Sequence, residues 1–204
     1  MSITVSLASA EELPDASAFI FADAPETERE IQIQEFQKTI SAGQEGQNQV
    51  LLAHEAGLLL GVGILVFSDP ATSCLWPPFT SRKDCADEIL QEMARRIDDS
   101  GVSIGQVLID PAQLHTRRLL TRNGFPHLTN LQFMRHPLSN LPSTESLKEK
   151  QIEPVRFDAV QNRRRFLDML ELTHQESHDC PALNQVRTAE ESLESHRSSG
   201  DSDQ

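Results

Sequence analysis

The chain has 204 residues, with 31 acidic side chains against 18 Lys and Arg and a formal net charge of −13. It offers no overall basic face, which excludes nucleic acid as its main partner. Cys74, Cys85 and Cys180 show no close pairing, and the start MSITVSLASAEELPD lacks the basic and apolar regions of a secretory leader, so a reducing, cytoplasmic setting is expected. The longest apolar run, Leu58 to Phe67, is about half a membrane span. It carries Gly61 and Gly63, reads as sheet, and implies no membrane partner.

In chain order, Ile3 to Leu7 alternates as an opening strand. Glu11 to Phe21 and Glu26 to Ile40 read as helices, the second with Ile31, Phe36 and Ile40 near helical spacing. Ser41-Ala42-Gly43 and the polar residues after it break that helix. Gln49 to His54 and Leu58 to Phe67 form a hairpin around Glu55-Ala56-Gly57, where glycine makes a positive φ cheap. Thr72 to Trp76 reads as a short strand, and Asp84 to Ile97 as a helix with Ile89, Leu90, Met93 and Ile97 inward. The basic pairs Arg95-Arg96 and Arg117-Arg118, like Arg163 to Arg165, lie beside acids and read as solvated helix faces.

Gly105 to His136 reads as strand, helix, Gly-Phe stop and strand. Asp110 suits an N-cap and Pro111 the first helical position, where a missing N–H costs nothing. Leu114, Leu119 and Leu120 give the helix an apolar side, Gly124 can end it left-handed, and Phe125 can fold back over its last turn. Leu128, Thr129, Leu131, Phe133 and Met134 then suit a strand covered on both faces.

From Pro137 the composition changes. Residues 138–150 are polar, proline-bearing linker. Gln151 to Phe157 reads as a strand and Asp158 to His174 as a helix, followed by an irregular connector. Thr188 to His196 reads as a helix opened by a capping box, Thr188 with Glu191. Residues 198–204 have nothing to bury and read as a disordered tail. A strand and two helices enclose no core alone, so residues 152–197 are expected to dock on the first domain or self-associate.

This layout resembles the GNAT superfamily of N-acetyltransferases. Residues 1–137 look like one GNAT domain, closed by the strand–helix–Gly124-Phe125–strand unit. Residues 151–197 resemble the opening of the second domain in tandem-GNAT bacterial proteins. Asp179, Cys180, Pro181, Leu183, Asn184, Arg187, Thr188, His196, Arg197 and Gly200 match its pattern. The fold the resemblance implies is α+β, an acyl-CoA N-acyltransferase-like mixed sheet flanked by helices, followed by an incomplete second domain. The activity it implies is acetyl-CoA-dependent acyl transfer to a small-molecule or peptide amine by the intact parent.

In that family, bare backbone N–H groups of a glycine-rich loop hold the pyrophosphate of acetyl-CoA at the start of the helix after the fourth strand. The matching segment, Leu75 to Cys85, has no glycine and contains Pro77 and Pro78. Trp76, Ser81, Arg82 and Lys83 are the candidate acetyl-CoA contacts; the other reading is a proline-stiffened loop with exposed basic side chains. The family's tyrosine acid, four residues before the Gly-Phe, is replaced by Leu120, and the chain has no tyrosine. No carboxylate lies in Thr72 to Trp76 to serve as base. Weak or no activity is therefore expected of this chain, the alternative being a non-catalytic structural or binding module.

Cys74 reads as a small buried thiol more than a nucleophile, because nothing near it activates it. His174 and His178 lie one helical turn apart beside Asp179 and Cys180, but no third ligand shares that spacing and no metal is assigned. Asp179, Asn184 and Arg187 are candidate substrate contacts by the resemblance, or tie the connector down through bonds to backbone.

Overall fold

The computed structural model describes residues 2–42, 47–68, 72–132, 157–158, 160–175, 186 and 188–199. The first unit runs β1 (Thr4–Leu7), α1 (Leu13–Ile20), α2 (Glu26–Ala42), β2 (Asn48–Glu55), β3 (Leu58–Ser68), β4 (Thr72–Thr80), α3 (Lys83–Ser100), β5 (Ile104–Gln106) and α4 (Leu114–Arg122). Later come α5 (Arg163–His174) and α6 (Ala189–Ser199).

The five strands form one sheet in sequence order, antiparallel from β1 to β4 and parallel between β4 and β5. The expected hairpin is β2–β3, and its turn is only Ala56-Gly57, with φ of 51° and 80°. Positive φ at both positions matches the right-handed twist of the strands it joins.

Helices cover both faces of the sheet, which is why β2 and β3 read as continuous apolar runs. On one face α3 presents Cys85, Ala86, Ile89, Leu90, Met93 and Ile97 to Leu51, Ala53, Leu65 and Leu75. It lies so close that a Cβ on Gly63 would stand 2.5 Å from both Ile89 Cγ2 and Met93 Cε. On the other face Ala16, Ile20 and Phe36 pack on Val50, Leu52, Val62 and Ile64. Phe21 and Phe36 meet edge to face at 5.9 Å. Ile31, which shares the helical spacing of Phe36 and Ile40, is exposed, so α2 buries a narrower stripe than its sequence suggests.

The end of α4 follows the expectation in detail. Gly124 sits at φ 90°, its N–H donates to Thr121 O, and the Phe125 N–H donates to Leu120 O at 3.0 Å. These two bonds are a Schellman motif, and Phe125 packs against the α3-side core.

The start of α4 differs from expectation. Asp110 Oδ1 accepts the Ala112 N–H at 2.7 Å and its carbonyl accepts the Gln113 N–H at 2.9 Å. Those bonds close a turn over Pro111-Ala112, so the helix begins only at Leu114, with Gln113 as an N-cap that makes no side-chain bond.

The strand expected after α4 is absent over residues 128–132, where Leu128 and Leu131 are exposed. Phe133 and Met134 lie outside the described residues, as does most of the strand expected at Gln151 to Phe157.

The described residues divide into two compact units, the first built mainly from residues 2–127 and the second from residues between 128 and 193. In the second unit Leu167, Ala189 and Leu193 form a small core flanked by Phe157 and Leu170. Asp158 Oδ1 accepts the N–H groups of Val160 and Gln161, which turns the chain toward α5. The expected capping box opens α6, with Glu191 accepting the Thr188 N–H at 2.7 Å and Thr188 Oγ1 accepting the Glu191 N–H at 3.1 Å. That helix runs to Ser199, into the segment expected as tail. No helix of the described residues is long and apolar enough to cross a membrane.

Candidate functional site

The site is built by a parting of two strands. β5 pairs with β4 only at Thr72 to Cys74, opposite Ile104 to Gln106. Beyond Cys74, β4 continues against β3 alone, and a cavity of about 590 Å³ opens between it and the chain leading from β5 to α4. Trp76, Pro77, Pro78 and Phe79 form one wall, Leu108, Ile109 and Asp110 the other, and Gln113 and Thr116 of α4 close the end.

Pro77 and Pro78 sit inside a strand that the sequence reading ended at Trp76. The register explains how. Ile64 pairs with Trp76 and Val62 with Phe79, so β4 carries one residue more than β3 between these pairs. This is a β-bulge, and bulges are where a sheet tolerates proline, since the ladder is already interrupted. The connection from β4 to α3 then shrinks to Ser81-Arg82.

That short connection commits two of the candidate acetyl-CoA contacts, Ser81 and Arg82, to partners within the chain. The Ser81 N–H donates to Leu60 O at 3.0 Å and its hydroxyl donates to the same oxygen at 3.1 Å. Arg82 donates to Asp84 through Nε and Nη2 and to Glu55 through Nη1, bonds that hold its guanidinium charged more firmly still. Asp84 Oδ1 also accepts the Cys85 N–H at 3.1 Å, which places a carboxylate at the N-terminus of α3. The Arg82 hydrogen bonds keep that carboxyl below its ordinary range.

Lys83 faces a second, smaller cavity of about 130 Å³, lined also by Pro77, Pro78, His115, Thr116 and Arg122. Trp76, 46 % exposed, lines the large cavity, its ring tilted 57° to Phe79 at 6.4 Å. Of the four candidates, then, the structure brings Trp76 to the large cavity and Lys83 to the small one. Ser81 and Arg82 are engaged elsewhere. Asp179, Asn184 and Arg187 lie outside the described residues, as do His178 and Cys180.

Leu120 is 3 % exposed and belongs to the α3-side core, lining neither cavity. The position of α4 that faces both cavities is Thr116, one turn earlier, which counting back from Gly124-Phe125 does not reveal. Gln106 Nε2 donates to Cys74 Sγ at 3.4 Å on the cavity wall. Cys74 is partly exposed rather than buried as expected. Among the described residues the buried thiol is Cys85, its pKa pushed up to about 11 by desolvation. No cluster of metal-ligating side chains occurs among the described residues.

Neither protein-family models nor curated protein sequences match this chain. Solved structures do. The aminoglycoside N-acetyltransferase AAC(6')-Iy in complex with CoA superposes with a TM-score of 0.55 at 12 % identity, covering 66 % of this chain and 95 % of that one. A probable acetyltransferase superposes at 0.53 and 17 % identity, over 69 % of this chain and all (100 %) of the other. A transcriptional regulator from Bacillus halodurans C-125 does so at 0.53 and 14 % identity, over 66 % and 100 %. The mixed five-stranded sheet of this chain, flanked by helices, is the acyl-CoA N-acyltransferase-like α+β fold. This chain has the fold of the GNAT acetyltransferases.

Proposed function

We propose that this chain carries a GNAT-type domain that keeps the fold and cleft of an acetyltransferase but does not itself transfer acetyl groups, its cleft serving as a binding or supporting module. The observation that carries this reading is Asp84. The N-terminus of α3, where the family holds an acetyl-CoA pyrophosphate, already has the chain's own carboxylate on the Cys85 N–H. A phosphate brought there meets like charge, while the nearest arginine is closed by Glu55 and Asp84. Ser81 spends its donors on Leu60, and Leu120 supplies no proton to a leaving thiolate.

Residues 151–197, which resemble the opening strand and helices of a second GNAT-like domain, are on this reading a supporting element rather than a catalytic one. The same stretch is the proposed self-associating surface, supported by the exposed Val160, Met169 and Leu172.

Isothermal titration calorimetry of the full chain with acetyl-CoA tests the central claim. No saturable heat in the micromolar range is expected, and a micromolar Kd overturns the reading.

A further inference from the structure

We infer that the β4–β5 cleft takes an apolar organic cation, of the quaternary-ammonium or bulky-amine class, in place of a polyanionic acyl carrier. This rests on the reading above that the cleft no longer holds the phosphates of acetyl-CoA.

The cavity, at about 590 Å³, falls in the range of roughly 300–1,000 Å³ that suits a small organic ligand. Its walls are mainly apolar, from Trp76, Pro77, Pro78, Phe79, Leu108 and Ile109. No lysine, arginine or histidine lines it, and its one carboxylate is Asp110. Asp110 uses Oδ1 to accept the Ala112 N–H, while its other oxygen accepts no hydrogen bond among the described residues. An anion entering this space meets the exposed Asp110 carboxylate, with no cationic side chain in the lining to offset it. A cation meets attraction, strengthened as its apolar substituents displace water from the walls.

The aromatic pair adds to this. Trp76 and Phe79 both line the cavity, and Trp76 is 46 % exposed with Leu108 68 % exposed across from it. Aromatic faces attract cations whose charge is spread over methyl groups, and tryptophan does so best. The basic groups nearby belong to the adjoining cavity. Lys83, His115 and Arg122 line the smaller cavity instead, and Arg122 is paired with Asp87. The net charge of −13 further concentrates cations around the molecule.

The chain contains a single tryptophan, Trp76, and no tyrosine, so its intrinsic fluorescence reports on this cleft alone. The full chain is titrated with benzyltrimethylammonium, benzyl alcohol and phenylacetate, three ligands of one ring and three charges. Saturable change with the ammonium, at an affinity about tenfold above the alcohol and further above phenylacetate, is expected. Asp110→Asn, whose amide oxygen can still accept the Ala112 N–H, is expected to reduce the ammonium to the affinity of the alcohol.

Equal or tighter binding of phenylacetate, an Asp110→Asn variant that keeps the preference, or no saturable change with any of the three overturns the inference. If neither these ligands nor acetyl-CoA binds, this inference alone fails. If acetyl-CoA binds in the micromolar range, the reading beneath it fails as well.

Discussion

Asp87 on α3 accepts two hydrogen bonds from the Arg122 guanidinium at the end of α4, Nε at 2.7 Å and Nη2 at 2.6 Å. The same carboxylate accepts the Asn123 side-chain amide at 2.6 Å, and that amide also donates to Leu119 O at 2.9 Å. A bidentate arginine pair is the strong form of such a contact. Here it fastens the end of α4 to α3 beside the turn that brings Phe125 back to the core, and so fixes one side of the smaller cavity.

The Arg122 bonds, followed by the Asn123 amide, hold the Asp87 carboxyl below its ordinary range. A carboxylate depressed on folding stabilises the protein above its unfolded pKa of about 4 and loses that contribution as pH falls through the folded value. Asp87→Asn is therefore expected to lower stability by on the order of 1 kcal/mol at neutral pH. The gap from wild type should narrow below about pH 4. Urea melts at neutral and acid pH check both; a gap that widens in acid contradicts the account.

Gly63 lies beneath α3 for want of space rather than for backbone freedom. A methyl group there collides at 2.5 Å with Ile89 Cγ2, on a β-branched side chain buried in the core, and with Met93 Cε, the end of a more flexible one. Gly63→Ala is expected to cost about 1–3 kcal/mol. Met93→Ala in the same chain should recover part of that loss, which denaturant unfolding of the single and double variants measures.

Leu120 stands where the family resemblance calls for a tyrosine acid, yet it is buried in the core and lines neither cavity. Leu120→Tyr is expected to overpack that core at about 1–3 kcal/mol and to leave acetyl transfer undetected. Transfer from acetyl-CoA to any amine by this variant would overturn the placement.

The parts of this fold governed by neighbouring residues were legible from sequence. Ala56-Gly57 announces the hairpin, Gly124-Phe125 the end of α4, and Thr188 with Glu191 the start of α6, because each motif satisfies its own backbone groups locally. The candidate site was less legible. Proline reads as the end of a strand by local rules, and only pairing with β3 shows that Pro77-Pro78 is a bulge within one. The engagement of Arg82 needs Glu55, distant in sequence at the hairpin tip, and the facing of Thr116 depends on how α4 lies against β4. The strand looked for at residues 128–132 fails for a related reason: apolar alternation makes a strand only where a sheet covers it.

Ala56 holds a positive φ of 51° without being glycine or asparagine. Asparagine reaches that region more readily and is favoured before glycine in such turns. Ala56→Asn is expected to raise stability by about 0.5 kcal/mol, seen as a higher urea midpoint at an unchanged slope. A lowered midpoint contradicts it.

Where β4 and β5 part, the protein exposes the rim of its own sheet. Such a rim is ordinarily a template on which a strand from another molecule can add, and from which ordered aggregates grow. Pro77 and Pro78 remove their backbone donors from this stretch, and the bulge they occupy breaks the regular spacing of those that remain. An incoming strand finds no continuous ladder to extend. The same two residues that line the cleft thus allow the sheet to stand open without inviting polymerisation.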